Sequence, residues 1–292
     1  MLLQQMINGI TLGSAYALTA IGYTMVFGIL ELVNFSHGAV YMFGAFICMM
    51  LITAFKINFF MAFLLSLVIT GVLGILIDKI CLYPLRIKNA PKVTSLISTI
   101  GVSIFLQNMV MLLWGSETKN FPMVLNLGTT NIMGVKISYF QLLIMAVCFI
   151  LMATLTVIIQ KTKMGKAMRA TAQNMEAAKL MGIHVDQVIS FTFFLGAALA
   201  AVAGIMIGMY YQTVDPMMGF MTGLKAFAAA VLGGIGVLPG AVIGGLLIGV
   251  IETLSAGYIH GGYRDAIAFA ILIAVLMVKP TGLLGRQVQK KV

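Results

Sequence analysis

The sequence predicts an all-α fold, a polytopic bundle of membrane-spanning helices, and three observations carry that reading. Of its 292 residues, 61% are apolar and 9% charged, whereas a soluble domain is about half apolar and about a quarter charged. Burying so large an apolar share in water would need more interior than one domain of about 300 residues supplies, because its surface must still face solvent. Finally, the apolar residues come in runs near the roughly 20 residues that cross a bilayer core of about 30 Å. The mean hydropathy of +1.07 agrees. The alternating ten-residue segments of a β-barrel are not visible.

Seven full spans are expected, at 6 to 29, 36 to 55, 58 to 77, 93 to 114, 139 to 159, 188 to 211 and 262 to 279. The first has no basic residue before Lys56 and no small-residue cleavage site, so it reads as a retained helix rather than a signal peptide. The net charge of +10 is not spread over one surface as a nucleic-acid binder would need. Thirteen of the 18 basic residues lie in three places: Lys79, Arg86, Lys88 and Lys92; Lys161, Lys163, Lys166, Arg169 and Lys179; and Lys279, Arg286, Lys290 and Lys291. Under the positive-inside rule these mark the cytoplasmic side, next to anionic headgroups. The N-terminus is then outside and the C-terminus cytoplasmic.

That parity holds only if residues 225 to 254 make zero or two net crossings. The run Gly233, Gly234, Ile235, Gly236, Val237, Leu238, Pro239, Gly240 breaks this apolar stretch into halves of about 14 residues, each short for a full crossing. Gly and Pro free backbone groups that lipid cannot satisfy, so a broken or re-entrant helix pair is expected, buried in protein or beside a water-filled path. The alternative is one long kinked helix with a basic tail on the wrong side. Small residues at helical spacing, including Gly9 with Gly13, Gly240 with Gly244 and Gly245 with Gly249, let helix backbones approach closely. Their density after Gly233 suggests a tight interface. The chain reads as one transmembrane domain over 1 to 292, with no soluble domain, repeat or linker.

Catalytic chemistry is hard to find. Gly165 and Lys166 lack the upstream glycine and following hydroxyl of a phosphate-binding loop. His37, His184 and His260 are scattered, and Cys48, Cys81 and Cys148 lack metal or redox spacing. Transport is the remaining class, with a receptor or assembly subunit behind it. The polar connection at 160 to 187 is the informative segment. Met164, Met168, Thr171, Met175 and Ala178 recur as an apolar or small stripe, with Lys166, Arg169, Gln173 and Lys179 largely off it. One reading is an interfacial amphipathic helix with a Glu176 to Lys179 pair and a stop at Gly182; the other is a helix docking into a cytoplasmic partner.

Glu176, Ala177, Ala178 and Gly182 resemble the EAA-type loop by which permeases of ATP-binding-cassette importers engage their ATPases. With Arg169 to Asn174 leading into it, the early Asn34, Phe35, Ser36, His37, Gly38 and the late Gly233 to Gly236 with Pro239, Gly240 and Ala241, the sequence resembles the branched-chain amino-acid permease family, in its smaller permease type. The isoleucine-x-leucine-proline ending of the wider EAA pattern is absent. This resemblance implies a bacterial plasma (inner) membrane importer of leucine, isoleucine and valine, built with a second related permease as a heterodimer, two cytoplasmic ATPases and an extracytoplasmic binding protein. The chain itself would bind no cofactor, ATP and Mg being used by the ATPases. Arg169, Glu176, Ala177, Ala178 and Gly182 would form the coupling helix, and the connection from Gly115 to Ser138 is a candidate docking surface for the binding protein, or a plain loop. Urea or short amides carried the same way, or a stand-alone ion-coupled transporter, are the competing functions.

Ionisable groups within the spans are functional candidates. Glu252, in the second half of the broken segment, is the foremost and joins Gly233, Gly234, Gly236, Pro239 and Gly240 as a candidate path or gate residue. Asp265 beside Arg264 reads first as a local ion pair, Lys225 and Asp215 as markers of the outward boundary, and Asn34 and His37 as capping or hydrogen-bonding groups at a span end.

Overall fold

A computed structural model describes residues 1–123, 128–132 and 135–285. Arg286, Lys290 and Lys291 of the expected basic tail, and Gly134 of the outward connection, lie outside the described residues. The helices are α1 (Leu2–Leu30), α2 (Ser36–Thr53), α3 (Phe59–Ile77), α4 (Tyr83–Ile87), α5 (Lys92–Trp114), α6 (Tyr139–Lys161), α7 (Lys163–Gln173), α8 (Met175–Leu180), α9 (Val185–Tyr211), α10 (Met218–Gly233), α11 (Leu238–Tyr258) and α12 (Arg264–Val278). Two small antiparallel ladders lie at one end: β1 (Lys119–Asn120) with β4 (Thr213–Val214), and the hairpin β2 (Thr129–Ile132) with β3 (Val135–Ser138). Eight helical segments among the described residues are long and apolar enough to cross a membrane. The protein is an all-α, multi-pass membrane bundle.

α1, α2 and α9 form the centre, and the outer faces of α3, α5, α6 and α12 expose Leu, Ile, Phe and Val as lipid requires. Glycine decides the closest approaches. A Cβ on Gly9 would lie 2.6 Å from the Val250 Cα, and one on Gly13 2.8 Å from the Leu246 Cα, so α1 and α11 meet along small residues. Gly240 and Gly244 pack against α10 in the same way. The glycines after Gly233 thus form a tight helix interface, as their density suggested, and it lies within the chain.

The ends of the bundle differ. One gathers the C-terminal end of α1, the connection from α3 to α5, the end of α6 and the pair α7 and α8; this is the basic end. At the other, Gln4 donates to the Lys136 carbonyl at 2.9 Å, Thr253 to the Gln5 carbonyl at 3.0 Å and Thr118 to Asp215 at 2.7 Å.

The break predicted at 233 to 240 is present, but its halves differ from expectation. α10 begins at Met218 and has 16 residues; α11 has 21, about 31 Å at 1.5 Å per residue and so long enough to cross. Residues 225 to 254 are therefore the inner part of a longer hairpin, and not one kinked helix. Its turn uses Gly234 (φ +104°) and Gly236 (φ +87°), left-handed backbone that glycine adopts freely. Beyond α12 the chain returns to this turn, where Leu283 and Leu284 N–H groups donate to the Leu232 and Gly233 carbonyls at 2.8 and 3.0 Å. Those bonds satisfy carbonyls that the end of α10 leaves open.

α2 starts inside the bundle rather than at its edge. The His37 ring stacks edge-on against Tyr23, with centroids 4.7 Å apart, seven residues before α1 ends. The non-helical residues before it are satisfied locally: Asn34 Oδ1 accepts from Ser36 N–H at 3.1 Å and Oγ at 2.6 Å, and Phe35 N–H donates to Thr99 Oγ1 at 3.2 Å. Asn34 is a hydrogen-bonding group at the span end, as expected, while the buried His37 Nε2 has no partner among the described residues.

Candidate functional site

Three places carry polar chemistry. The first is the connection at the basic end. It is not one helix: Asn174 ends α7 in extended backbone and its Oδ1 caps α8 by accepting from Ala177 N–H at 3.0 Å. α8 stops at Gly182 (φ +79°), with Ile183 N–H on the Ala178 carbonyl and Gly182 N–H on that of Lys179, both 3.0 Å. This is the paired closure by which glycine ends helices. Met168, Thr171 and Ala178 are buried, and Lys166, Arg169, Gln173 and Lys179 are exposed, as the stripe predicts. The expected Glu176 to Lys179 ion pair does not form. Arg169 donates to the Ile159 carbonyl, tying α7 to the last turn of α6.

Two features of this connection escaped sequence reasoning. Leu180 and Met181, at the tip of α8, are 89% and 82% exposed; they stand just beyond the stripe and its period does not include them. The base of the connection is also clamped: Arg86 reaches Asp186 at the start of α9 (2.9 Å) and buried Asp78 in the π-turn after α3 (3.2 Å), and Ser190 donates to Asp78 at 2.8 Å.

The second place is the hairpin turn. Gly233, Gly234, Gly236, Pro239 and Gly240 lie together at the basic end, and a gap of about 110 Å³ between Gly236 and Leu238 on one side and Met168 and Arg169 on the other separates the turn from α7. Of the residues singled out for coupling, Arg169 thus faces the Gly-rich turn across this gap, whereas Glu252, singled out for gating with the turn, lies elsewhere.

The third is a buried ion network near the opposite end. Lys225 is 4% and Glu252 2% exposed, joined at 2.7 Å. Lys225 also reaches Asp265 at 2.7 Å, Arg264 lies 3.6 Å from Glu252 and 3.5 Å from Asp265, and Tyr16 donates to Glu252 at 2.9 Å. This corrects the placement of Lys225 as a boundary marker: it is two turns into α10 and desolvated, tolerable because two carboxylates surround it. Asp265 has its local pair with Arg264, but its closer partner is Lys225. The network lines a cavity of about 320 Å³. A separate, largely apolar cavity of about 450 Å³ lies across α10, between Tyr23, Phe35, Ile100, Gln107 and Phe220.

Residues 5–276 match a family model described as the permease component of the branched-chain amino acid transport system. The chain is 46% identical to the high-affinity branched-chain amino acid transport system permease protein LivH of Escherichia coli (strain K12), over 99% of this chain and 97% of that protein. It is equally similar, 46% over 99% of this chain and 98% of the relative, to BraD of Pseudomonas aeruginosa, which bears the same description. A probable branched-chain amino acid transport permease, LivH of Methanocaldococcus jannaschii, is 27% identical over 92% of this chain. With the full helical core inside the matched region, the chain belongs to the branched-chain amino acid transport permease family.

Proposed function

We propose that this chain is one permease half of an ATP-binding-cassette importer in a bacterial plasma membrane, moving leucine, isoleucine and valine handed over by an extracytoplasmic binding protein. The basic end is cytoplasmic, and α7 with α8 is the coupling element on which a partner ATPase pushes. One observation carries this most directly: Leu180 and Met181 stand exposed on the tip of a short helix whose other face is sealed to the bundle. An apolar knob on a rigid, clamped support suits a groove in a partner. Glu176, Ala177 and Lys179 flank the knob on the exposed side, and Ala178 and Gly182 set its packing and its end. Arg169 holds α7 in place.

The work is done by the partners, with ATP and Mg bound there. Displacement of α7 passes to the adjoining turn at Gly233, Gly234, Gly236, Pro239 and Gly240, and the α10 and α11 hairpin carries it to Glu252 and the outward cavity. Thr94, Gly101 and Asn108 are exposed and Ser98 is half-buried on one face of α5, around the exposed Phe105, and lipid satisfies such polar and small groups poorly. That face supports a second permease packing there.

The test is reconstitution in proteoliposomes with the second permease, ATPases and binding protein. Wild type should take up leucine only with ATP. Leu180→Asp with Met181→Asp, and separately Glu176→Arg, should abolish uptake and release the ATPases on purification. Uptake driven by an ion gradient on the purified chain alone, or retention of ATPases by both variants, would sink the proposal.

A further inference from the structure

The charged cavity beside α10 has a composition that structural pairing alone does not require. Two cations, Lys225 and Arg264, pair with the carboxylates of Glu252 and Asp265, with Asp215 a third carboxylate on the wall, around about 320 Å³ of space, near the lower end for small-molecule sites at roughly 300 Å³ and above. Hydrophobic residues in place of Lys225 and Glu252 would fill that volume without desolvating two charges. Arg264 is half-exposed and engages the network only through Nε, so its two terminal nitrogens have no partner among the described residues. The Tyr41 hydroxyl, on a residue only 1% exposed, also lines the cavity, beside Thr222. Part of the remaining wall is apolar, from Leu12, Ile207, Met218 and Met221, and Tyr211, Thr213, Asp215 and Thr222 complete it.

We propose that this cavity is an outward-facing binding site for the transported amino acid. The forked end of Arg264 takes the α-carboxylate, assisted by the Tyr41 O–H, and Asp265 takes the α-ammonium. Leu12, Ile207 and Met221 receive the branched side chain. A zwitterion adds one charge of each sign, so loading leaves the net charge of the cavity unchanged. Bidentate guanidinium recognition gives the carboxylate a preferred orientation. Lys225 and Glu252 keep their own bond and hold the walls together. The site deepens the importer reading and rests on it.

The experiment uses the complete importer in proteoliposomes, with Thr213→Cys at the cavity rim in a Cys81→Ser background, labelled from outside by an impermeant maleimide. Leucine should slow labelling at least fivefold. Isopentylamine and 4-methylpentanoate, which each lack one of the two charges, should not. Arg264→Gln should abolish protection while the ATPases still copurify, and Arg264→Lys should restore part of it. Met221→Trp, which fills the aliphatic wall, serves as the second test of the same protection. If the wild-type assembly transports leucine with ATP but leucine gives no protection, or if Arg264→Gln and Met221→Trp both keep it, the site is refuted and the importer reading stands. Absence of ATP-driven uptake by the wild type overturns the importer reading and the site with it.

Discussion

Replacing Lys225 by methionine tests whether the buried network stabilises the α10 to α12 packing through charge or through shape. Lys225 has two carboxylates at 2.7 Å. Without its ammonium, Glu252, 2% exposed, keeps only the Tyr16 hydroxyl at 2.9 Å and Arg264 at 3.6 Å, and it faces Asp265 across the vacated space. Removing one partner of a buried pair costs about 3–5 kcal/mol. Glu252→Leu is milder, because Lys225 retains Asp265 and only the Tyr16 hydroxyl loses its acceptor; an orphaned polar group costs about 1–3 kcal/mol. The double variant leaves neither charge stranded and should fall short of the summed losses by about 2 kcal/mol or more, as coupled residues do. Thermal unfolding of the purified chain in detergent reads this directly. At about 2–3 °C per kcal/mol, Lys225→Met should lower the midpoint by roughly 6–15 °C, and adding Glu252→Leu should raise it again. Additive losses, or a Lys225→Met midpoint equal to wild type, would refute the reasoning.

Three further outcomes follow from the geometry. Asn174→Ala removes the side-chain cap on α8 and should cost about 1 kcal/mol, while Gly182→Val forces a β-branched residue to φ +79° at about 1–2 kcal/mol; both should lower leucine uptake per ATP hydrolysed in the reconstituted importer. Arg86→Met strands Asp78, fully buried, with Ser190 alone, and should lower the unfolding midpoint far more than Asp186→Asn, whose half-exposed carboxylate contributes under about 1 kcal/mol. Gly13→Leu should prevent recovery of folded chain because its Cβ meets the α11 backbone, whereas Gly101→Leu, with nothing within 4 Å of the added Cβ, should leave the isolated chain's midpoint unchanged; midpoints and yield in detergent check both.

What the sequence made legible follows from which signals are periodic or compositional. The spans, the break at Gly233 to Gly240 and the stripe through Met168, Thr171 and Ala178 are local, repeating patterns, and each is where it was expected. Lys225 is the instructive miss. Near the start of an apolar run a lysine reads as a headgroup anchor, and nothing within its own helix announces carboxylates 27 and 40 positions away. The Asp78, Arg86 and Asp186 clamp is invisible for the same reason. The deep start of α2 is hidden because Asn34 and Ser36 signal a helix start without its depth. Asn174 interrupts a stripe whose period continues across it, so one helix was expected where two are joined by a cap.

The glycine seam between α1 and α11 also bears on how the protein is made. It joins Gly9 to Thr253, 253 − 9 = 244 positions apart, and at about 5–20 residues per second of synthesis the first helix enters the bilayer roughly 12–50 s before its mate exists. During that interval its small-residue face is presented to lipid or to an insertion factor, and the core of the bundle cannot close. Assembly is therefore gated by the synthesis of α11: a chain interrupted before Gly245 should be membrane-inserted yet open to proteolysis, and quality control has a long window in which to remove it.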